Sequence, residues 1–159
     1  MMHTRMSSHF SPGFTLIELL VVVAVSLLFV GVGIGVYGRL QEHAQLQEVS
    51  IQITQMIRSA RDQAAAGLNG RGHGVKFEME EDSWNIILYQ GDTYQERDVE
   101  FDEILKLDRT LNVETTFVNG EIRFQRGVGL PFEEGSAKVT HEVYGESIIT
   151  VNEKGMAEQ

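Results

Sequence analysis

Glu18 is the only ionisable side chain between Phe14 and Val36, where it stands among 16 Phe, Leu, Ile and Val residues. A carboxylate there could hold a proton, accept hydrogen bonds or pair with a cation. An unpaired charge at the centre of a spanning helix costs about 3 kcal/mol, so charges that persist in hydrocarbon generally have a use. The apolar neighbours contribute about −0.3 to −0.6 kcal/mol each, roughly −5 to −10 together, so the segment still favours a membrane.

Other residues with chemical potential are weaker candidates. The acidic runs EMEED (78–82) and ERDVEFDE (96–103) offer oxygen ligands for calcium, but neither has the spacing of an EF-hand loop. In the second run, Val99 and Phe101 alternate with acids, which reads as a strand with one solvated face. His73 lies between two glycines and His141 falls on the solvent side of an expected strand. No His, Ser and Asp stand in a nucleophile context, and the chain has no Cys. An enzyme is not expected, nor a cofactor or metal. Gly33 to Gly38, GIGVYG, has dinucleotide-site spacing but follows no strand and sits inside an apolar run. Gly31, Gly33, Gly35 and Gly38 read instead as small residues for helix packing or a flexible point, and Gly31 and Gly35 also fit G-x-x-x-G.

The elements that position these residues follow from periodicity. Residues 1–13 are short and polar and end in the helix-breaking pair Pro12-Gly13. The 25 residues from Phe14 to Gly38 would make roughly 38 Å of helix, enough for about 30 Å of hydrocarbon. A helix buried in a soluble core is the competing reading, although cores rarely need so long an apolar run. From 39 to 66, Leu46, Val49, Ile53, Met56, Ile57, Ala60 and Ala64 recur at steps of three and four, giving an amphipathic continuation that Gly67 ends.

Residues 67–159 read as a β-rich unit. VKFEME and WNIILY flank a turn at EDS, VETTFV and EIRFQR flank Asn119-Gly120, and AKVTHEVY and SIITVN flank Gly145-Glu146. Asn-Gly is a strong hairpin signal, because both residues tolerate positive φ. The expected class is therefore α+β: a long N-terminal helix packed on antiparallel β-sheet, in two groups of strands. A loop, GVGLPFEEG, joins the second and third pairs. Trp84 and Phe132 are expected in the core or at an interface.

Net charge is −10, and the acidity is concentrated: from Lys76 onward there are 19 acidic and 8 basic side chains. Such a surface disfavours phosphate backbones, so nucleic acid is not an expected partner. Arg5 and Arg39 flank the apolar segment and give only a slight vote for a cytoplasmic N-terminus.

GFTLIELLVV resembles the prepilin signature of type IV pilins and type II secretion pseudopilins. The resemblance implies cleavage by prepilin peptidase between Gly13 and Phe14, N-methylation of Phe14, and a single-pass inner-membrane precursor with a periplasmic globular domain. It also implies that Glu18, fifth in the mature chain, pairs with the terminal amine of a neighbouring subunit during filament assembly. Residues 1–13 would be the cleaved leader, 14–38 the transmembrane helix and 39–66 its amphipathic extension.

IRSARDQAAAGLNGRGHGVKFEM and the closing IRFQRGVGLPFEEGSAKVTHEVYGESIITVNEKGMA resemble the GspH/FimT family of minor pilin-like proteins; residues 82–113 match no pattern. This second resemblance implies a minor pseudopilin near the tip of a periplasmic pseudopilus. Its partners would be other major and minor pseudopilins, the inner-membrane assembly platform, the lipid bilayer and secreted substrates. The alternative is a FimT-like minor pilin priming a type IV or competence pilus. The chain departs from the family in having no Pro within the first helix and no basic C-terminal end. A membrane-anchored binding module or enzyme with no filament role is the reading from a different class.

Overall fold

Leu46, Val49, Ile53, Ile57, Ala60 and Ala64 share one side of a helix, and in the computed structural model each is buried, with Met56 packed at their margin. The structure describes residues 14–159, with backbone alone for 30–44; residues 1–13, including Gly13, lie outside it. Helix α1 (Leu16–Ala65) runs unbroken through Gly31, Gly33, Gly35 and Gly38, whose surroundings lie outside the described residues. The chain divides into two units, residues 1–40 and 41–159.

In the first unit, apolar side chains from Phe14 to Phe29 are exposed all round the helix, from 45% at Val25 to 80% at Phe14. Among the described residues, no helix is long and apolar enough to cross a membrane. The span expected over 14–38 includes 30–38, whose side chains lie outside the described residues.

In the second unit α1 ends where Gly67 turns left-handed at φ 61°, a conformation open to glycine without a Cβ clash. Eight strands follow: β1 (His73–Glu80), β2 (Ser83–Gln90), β3 (Glu103–Lys106), β4 (Leu111–Thr115), β5 (Glu121–Phe124), β6 (Gly135–His141), β7 (Gly145–Val151) and β8 (Ala157–Glu158). They make two antiparallel sheets, ordered β3-β2-β1-β5 and β4-β6-β7-β8. Alternation sends Val75, Phe77, Ile86, Leu88, Ile122 and Phe124 of the first sheet, and Val113, Val139, Ile149 and Val151 of the second, into one core with the α1 face. All of this core lies between Leu46 and Ala157. The fold is α+β, with a helix packed on two antiparallel sheets, as the periodicity predicts.

The tight hairpin of the first sheet is closed by Glu81 and Asp82, at φ 47° and 67°, between the paired Glu80 and Ser83. Asn119-Gly120, expected to close a hairpin, does not. Both residues have positive φ, but β4 pairs with β6 while β5 pairs with β1. The chain changes sheets there because Phe117, 4% exposed, drops into the core against Phe77 at 6.0 Å between ring centres. Thr116 N–H still bonds Ser136 in the second sheet, and five residues later, at Glu121, the chain is in the first. Turn chemistry sets local backbone angles, and burial of Phe117 decides which strands they connect.

Residues 99–101 are likewise not a strand. Asp98 accepts from the Glu100 N–H and its own N–H bonds the Gln90 carbonyl, so Val99–Phe101 closes into a 3₁₀ turn. Trp84 is partly buried at the core margin, its indole N–H donating to Asn112 at 3.0 Å. Phe132, by contrast, is 54% exposed.

Candidate functional site

The first turn of α1 forms a reciprocal cap. Thr15 Oγ1 accepts from the Glu18 N–H at 3.3 Å, and Glu18 Oε2 accepts from Thr15 Oγ1 at 3.4 Å and from Thr15 N–H at 3.5 Å. This is the capping-box arrangement, which satisfies donors that a helix start otherwise leaves unpaired. A negative charge there is also favoured by the helix dipole. Thr15-x-x-Glu18 ahead of an apolar run is legible in sequence, where the charge of Glu18 stands out against its apolar neighbours and its capping partner does not. Phe14 immediately precedes the cap and is 80% exposed. Phe14 and Glu18 therefore lie within one turn of each other at the helix start, while Gly13 lies outside the described residues.

A second concentration of polar side chains covers the outer face of the first sheet. The β2–β3 connection folds over Tyr89, which, like Ile87, is buried although it points away from the core. Gly74 makes room: the Tyr89 ring crosses it, and the Tyr89 hydroxyl donates to Glu121, which also accepts from Tyr94 N–H at 3.0 Å. The Arg97 guanidinium lies 3.7 Å from the Tyr94 ring centre and bonds Asp102 at 2.8 Å; the Tyr94 hydroxyl donates to Glu78 at 2.7 Å.

Burial and the Glu121 bond push the Tyr89 phenol above its ordinary value, and burial with the Glu78 bond pushes that of Tyr94 up to about 12. The Asp102 bond raises Arg97. Near neutral pH these groups keep their protons, so the cluster fastens the connection and has no proton poised for acid–base exchange. No sequence pattern announced it, since its members come from β1, β2, β5 and the connection.

His73 is 2% exposed, and neither ring nitrogen has a hydrogen-bond partner of regular geometry. Burial pushes its imidazole below the ordinary value, against a weaker opposing effect of the Arg71 backbone. The unfolded chain therefore takes up a proton near pH 6.5 that the native state resists. Stability should be complete above about pH 6.5 and fall below it by up to about 1.4 kcal/mol per pH unit until the lowered native value is reached. Urea unfolding of wild type and His73→Leu at pH 7.5, 6.5 and 5.5 checks this, with the variant expected to show the flatter dependence. His141 is half-buried at the β6–β7 turn and accepts from Val143 N–H at 3.2 Å.

Among the described residues, no group of three or more His, Asp or Glu is placed to hold a metal ion. The acids of 78–82 split between the end of β1 and its turn, and Asp102 is taken by Arg97.

No protein-family model matches the chain, and no curated protein matches it in sequence. Among solved structures, it is similar to the type IV minor pilin FimU of Pseudomonas aeruginosa (strain PAO1) in two crystal forms. The TM-scores are 0.52 and 0.55, with 15% identity, covering 71% and 75% of this chain and 90% of FimU. At that identity the likeness is one of fold.

Proposed function

We infer that the chain is a structural filament subunit of the pilin class, and within it an H-type minor pseudopilin of a type II secretion system. The observation that carries this reading is the helix start: an exposed Phe14 followed within one turn by the capped carboxylate of Glu18, on a chain whose fold is pilin-like. In this reading prepilin peptidase cuts after Gly13, Phe14 is methylated, and residues 14–38 hold the chain in the inner membrane with the β-rich unit in the periplasm. The partners are other major and minor pseudopilins, the assembly platform and secreted substrates.

The second reading is a FimT-like minor pilin priming a type IV or competence pilus, and it draws support from the type IV minor pilin FimU being a neighbour in fold. The excess of acidic residues weighs against a DNA-handling role.

Mass analysis of the N-terminus, in cells with active prepilin peptidase, tests the shared part of both readings. Mature chain should begin at methylated Phe14, and Gly13→Val should accumulate as uncut precursor. An intact Met1 in wild type, or normal-sized mature protein from Gly13→Val, would refute both.

A further inference from the structure

A crevice opens beside β5, between the β2–β3 connection and the segment that follows β5. Its closed part, about 200 Å³, is lined by Thr93 and Gln95 of the connection, by Asn119, by Arg123 of β5, and by Phe132 with Glu133. A wider hollow of about 640 Å³ shares Thr93, Arg123 and Phe132 and adds Asp92, Gln125 and Arg126. Both walls are held by bonds of their own. Glu121 fastens the connection through the Tyr89 hydroxyl and Tyr94 N–H, and the Thr93 hydroxyl accepts from Glu96 N–H at 3.3 Å. Opposite, Phe132 N–H bonds the Arg123 carbonyl at 3.0 Å and Gln125 N–H bonds the Leu130 carbonyl at 2.8 Å.

The side chains between those walls are not held. Among the described residues, no hydrogen bond or ion pair ties the side chain of Gln95, Asn119 or Glu133. The Phe132 ring, 54% exposed, has the Arg123 guanidinium 4.9 Å from its centre and leaves the rest of its surface open. The two hollows carry two arginines against three carboxylates, Asp92, Glu121 and Glu133, and Arg123 lies 3.9 Å from Glu121. So even a balance selects neither a polyanion nor a polycation. Nor can an extended peptide add to β5 there, because Phe132 and Leu130 already take the outward backbone groups of Arg123 and Gln125. What fits is a neutral ligand with an apolar face for the ring and with hydroxyls, each both donor and acceptor, for the amides and the carboxylate. A pyranose has that build, with C–H groups on its faces and hydroxyls around its rim.

We propose that this crevice binds a neutral oligosaccharide. One sugar ring lies against Phe132 with its hydroxyls bonded to Gln95, Asn119 and Glu133, and the saccharide runs on past Thr93 into the wider hollow. The closed part is smaller than the roughly 300 to 1,000 Å³ of pockets for drug-sized ligands, which suits a single ring. The walls are already in place, so little affinity is lost to ordering them. This binding goes beyond the filament-subunit reading and does not depend on it. A sugar-binding chain that keeps Met1 in cells would retain the site and reject the filament reading, and a processed subunit that ignores sugars would do the reverse.

Saturation-transfer NMR on the full-length chain, held in a detergent without a sugar headgroup, tests the site with two probes: the tetramers of β-1,4-linked N-acetylglucosamine and of β-1,4-linked glucose. At least one should bind with a Kd of about 1 mM or tighter. Preference for the first assigns a cell-wall type of glycan, preference for the second a glucan, and equal binding the ring face that both share. Phe132→Ala should weaken binding at least tenfold, Gln95→Ala at least threefold and Phe132→Tyr less than twofold. Urea midpoints should not move, because both side chains are exposed. Affinity should hold within twofold from about 0.05 to about 0.5 M salt, since the ligand is neutral. No binding of either tetramer, or binding that Phe132→Ala leaves unchanged or that salt abolishes, would overturn the proposal.

Discussion

Glu18→Gln is expected to be cut after Gly13 as efficiently as wild type and then to fall at least tenfold in recovery from filaments. The substitution isolates charge from capping. Gln is as suitable as Glu at the third position of a capping box, so the bonds with Thr15 survive while the negative charge does not. Glu18→Ala removes both, and loss of a cap costs about 1 kcal/mol of helix stability. If the carboxylate pairs with a neighbouring subunit's amine at low dielectric, the charge is worth several kcal/mol, well above the cap. Comparing wild type, Gln and Ala in sheared filament fractions therefore ranks the two effects. Wild-type recovery of Glu18→Gln alongside loss of Glu18→Ala would assign Glu18 to helix initiation and reject amine pairing.

Gly74→Ala should destabilise the second unit by about 3 to 5 kcal/mol, a large share of the 5 to 15 kcal/mol typical of a folded domain. A Cβ at Gly74 would lie 2.4 Å from the Tyr89 hydroxyl oxygen and 2.6 Å from the Ile122 carbonyl oxygen. The second neighbour is backbone of the adjacent strand, so relief by side-chain rotation is incomplete. Displacing the Tyr89 ring also breaks its bond to Glu121, which holds Tyr94 and thereby the connection over the sheet. Gly67→Ala is the control: its φ is positive but the space around it is open, so about 1 kcal/mol is expected. Urea midpoints for the two variants should differ widely, and equal midpoints would mean that Tyr89 packing over Gly74 is not important to stability.

The helix was legible because its signals are local and periodic: the three–four spacing from Leu46 to Ala64, the glycine stop at Gly67, the alternation of β1. Strand pairing across the middle of the chain was not. Asn119-Gly120 gave the right backbone angles and the wrong partners, since a turn dipeptide cannot report that Phe117 is drawn into a core assembled from both sheets. Asp98 similarly turned an alternating apolar run into a 3₁₀ turn by offering its carboxylate to the backbone. At the helix start, the charge of Glu18 stood out against its apolar neighbours, whereas its bond partner Thr15 was visible only as a spacing. The cluster of Tyr89, Tyr94, Arg97 and Glu121 had no sequence signature, because positions 32 apart in the chain meet only once β1, β2 and β5 pair.

The last turns of α1 are tied to both sheets. Arg58 Nη2 donates to the Ala157 carbonyl of β8 at 2.8 Å, and the Gly127 N–H, just past β5, bonds the Ala64 carbonyl at 2.7 Å. Mechanically, a pull along this part of the helix is shared between two anchorages and loads the packed side chains from Leu46 to Ala64 in shear, together, instead of unzipping them singly. The second unit should consequently yield to tension in one abrupt event, seen as a single force peak when the chain is pulled from Leu46 against its C-terminal end.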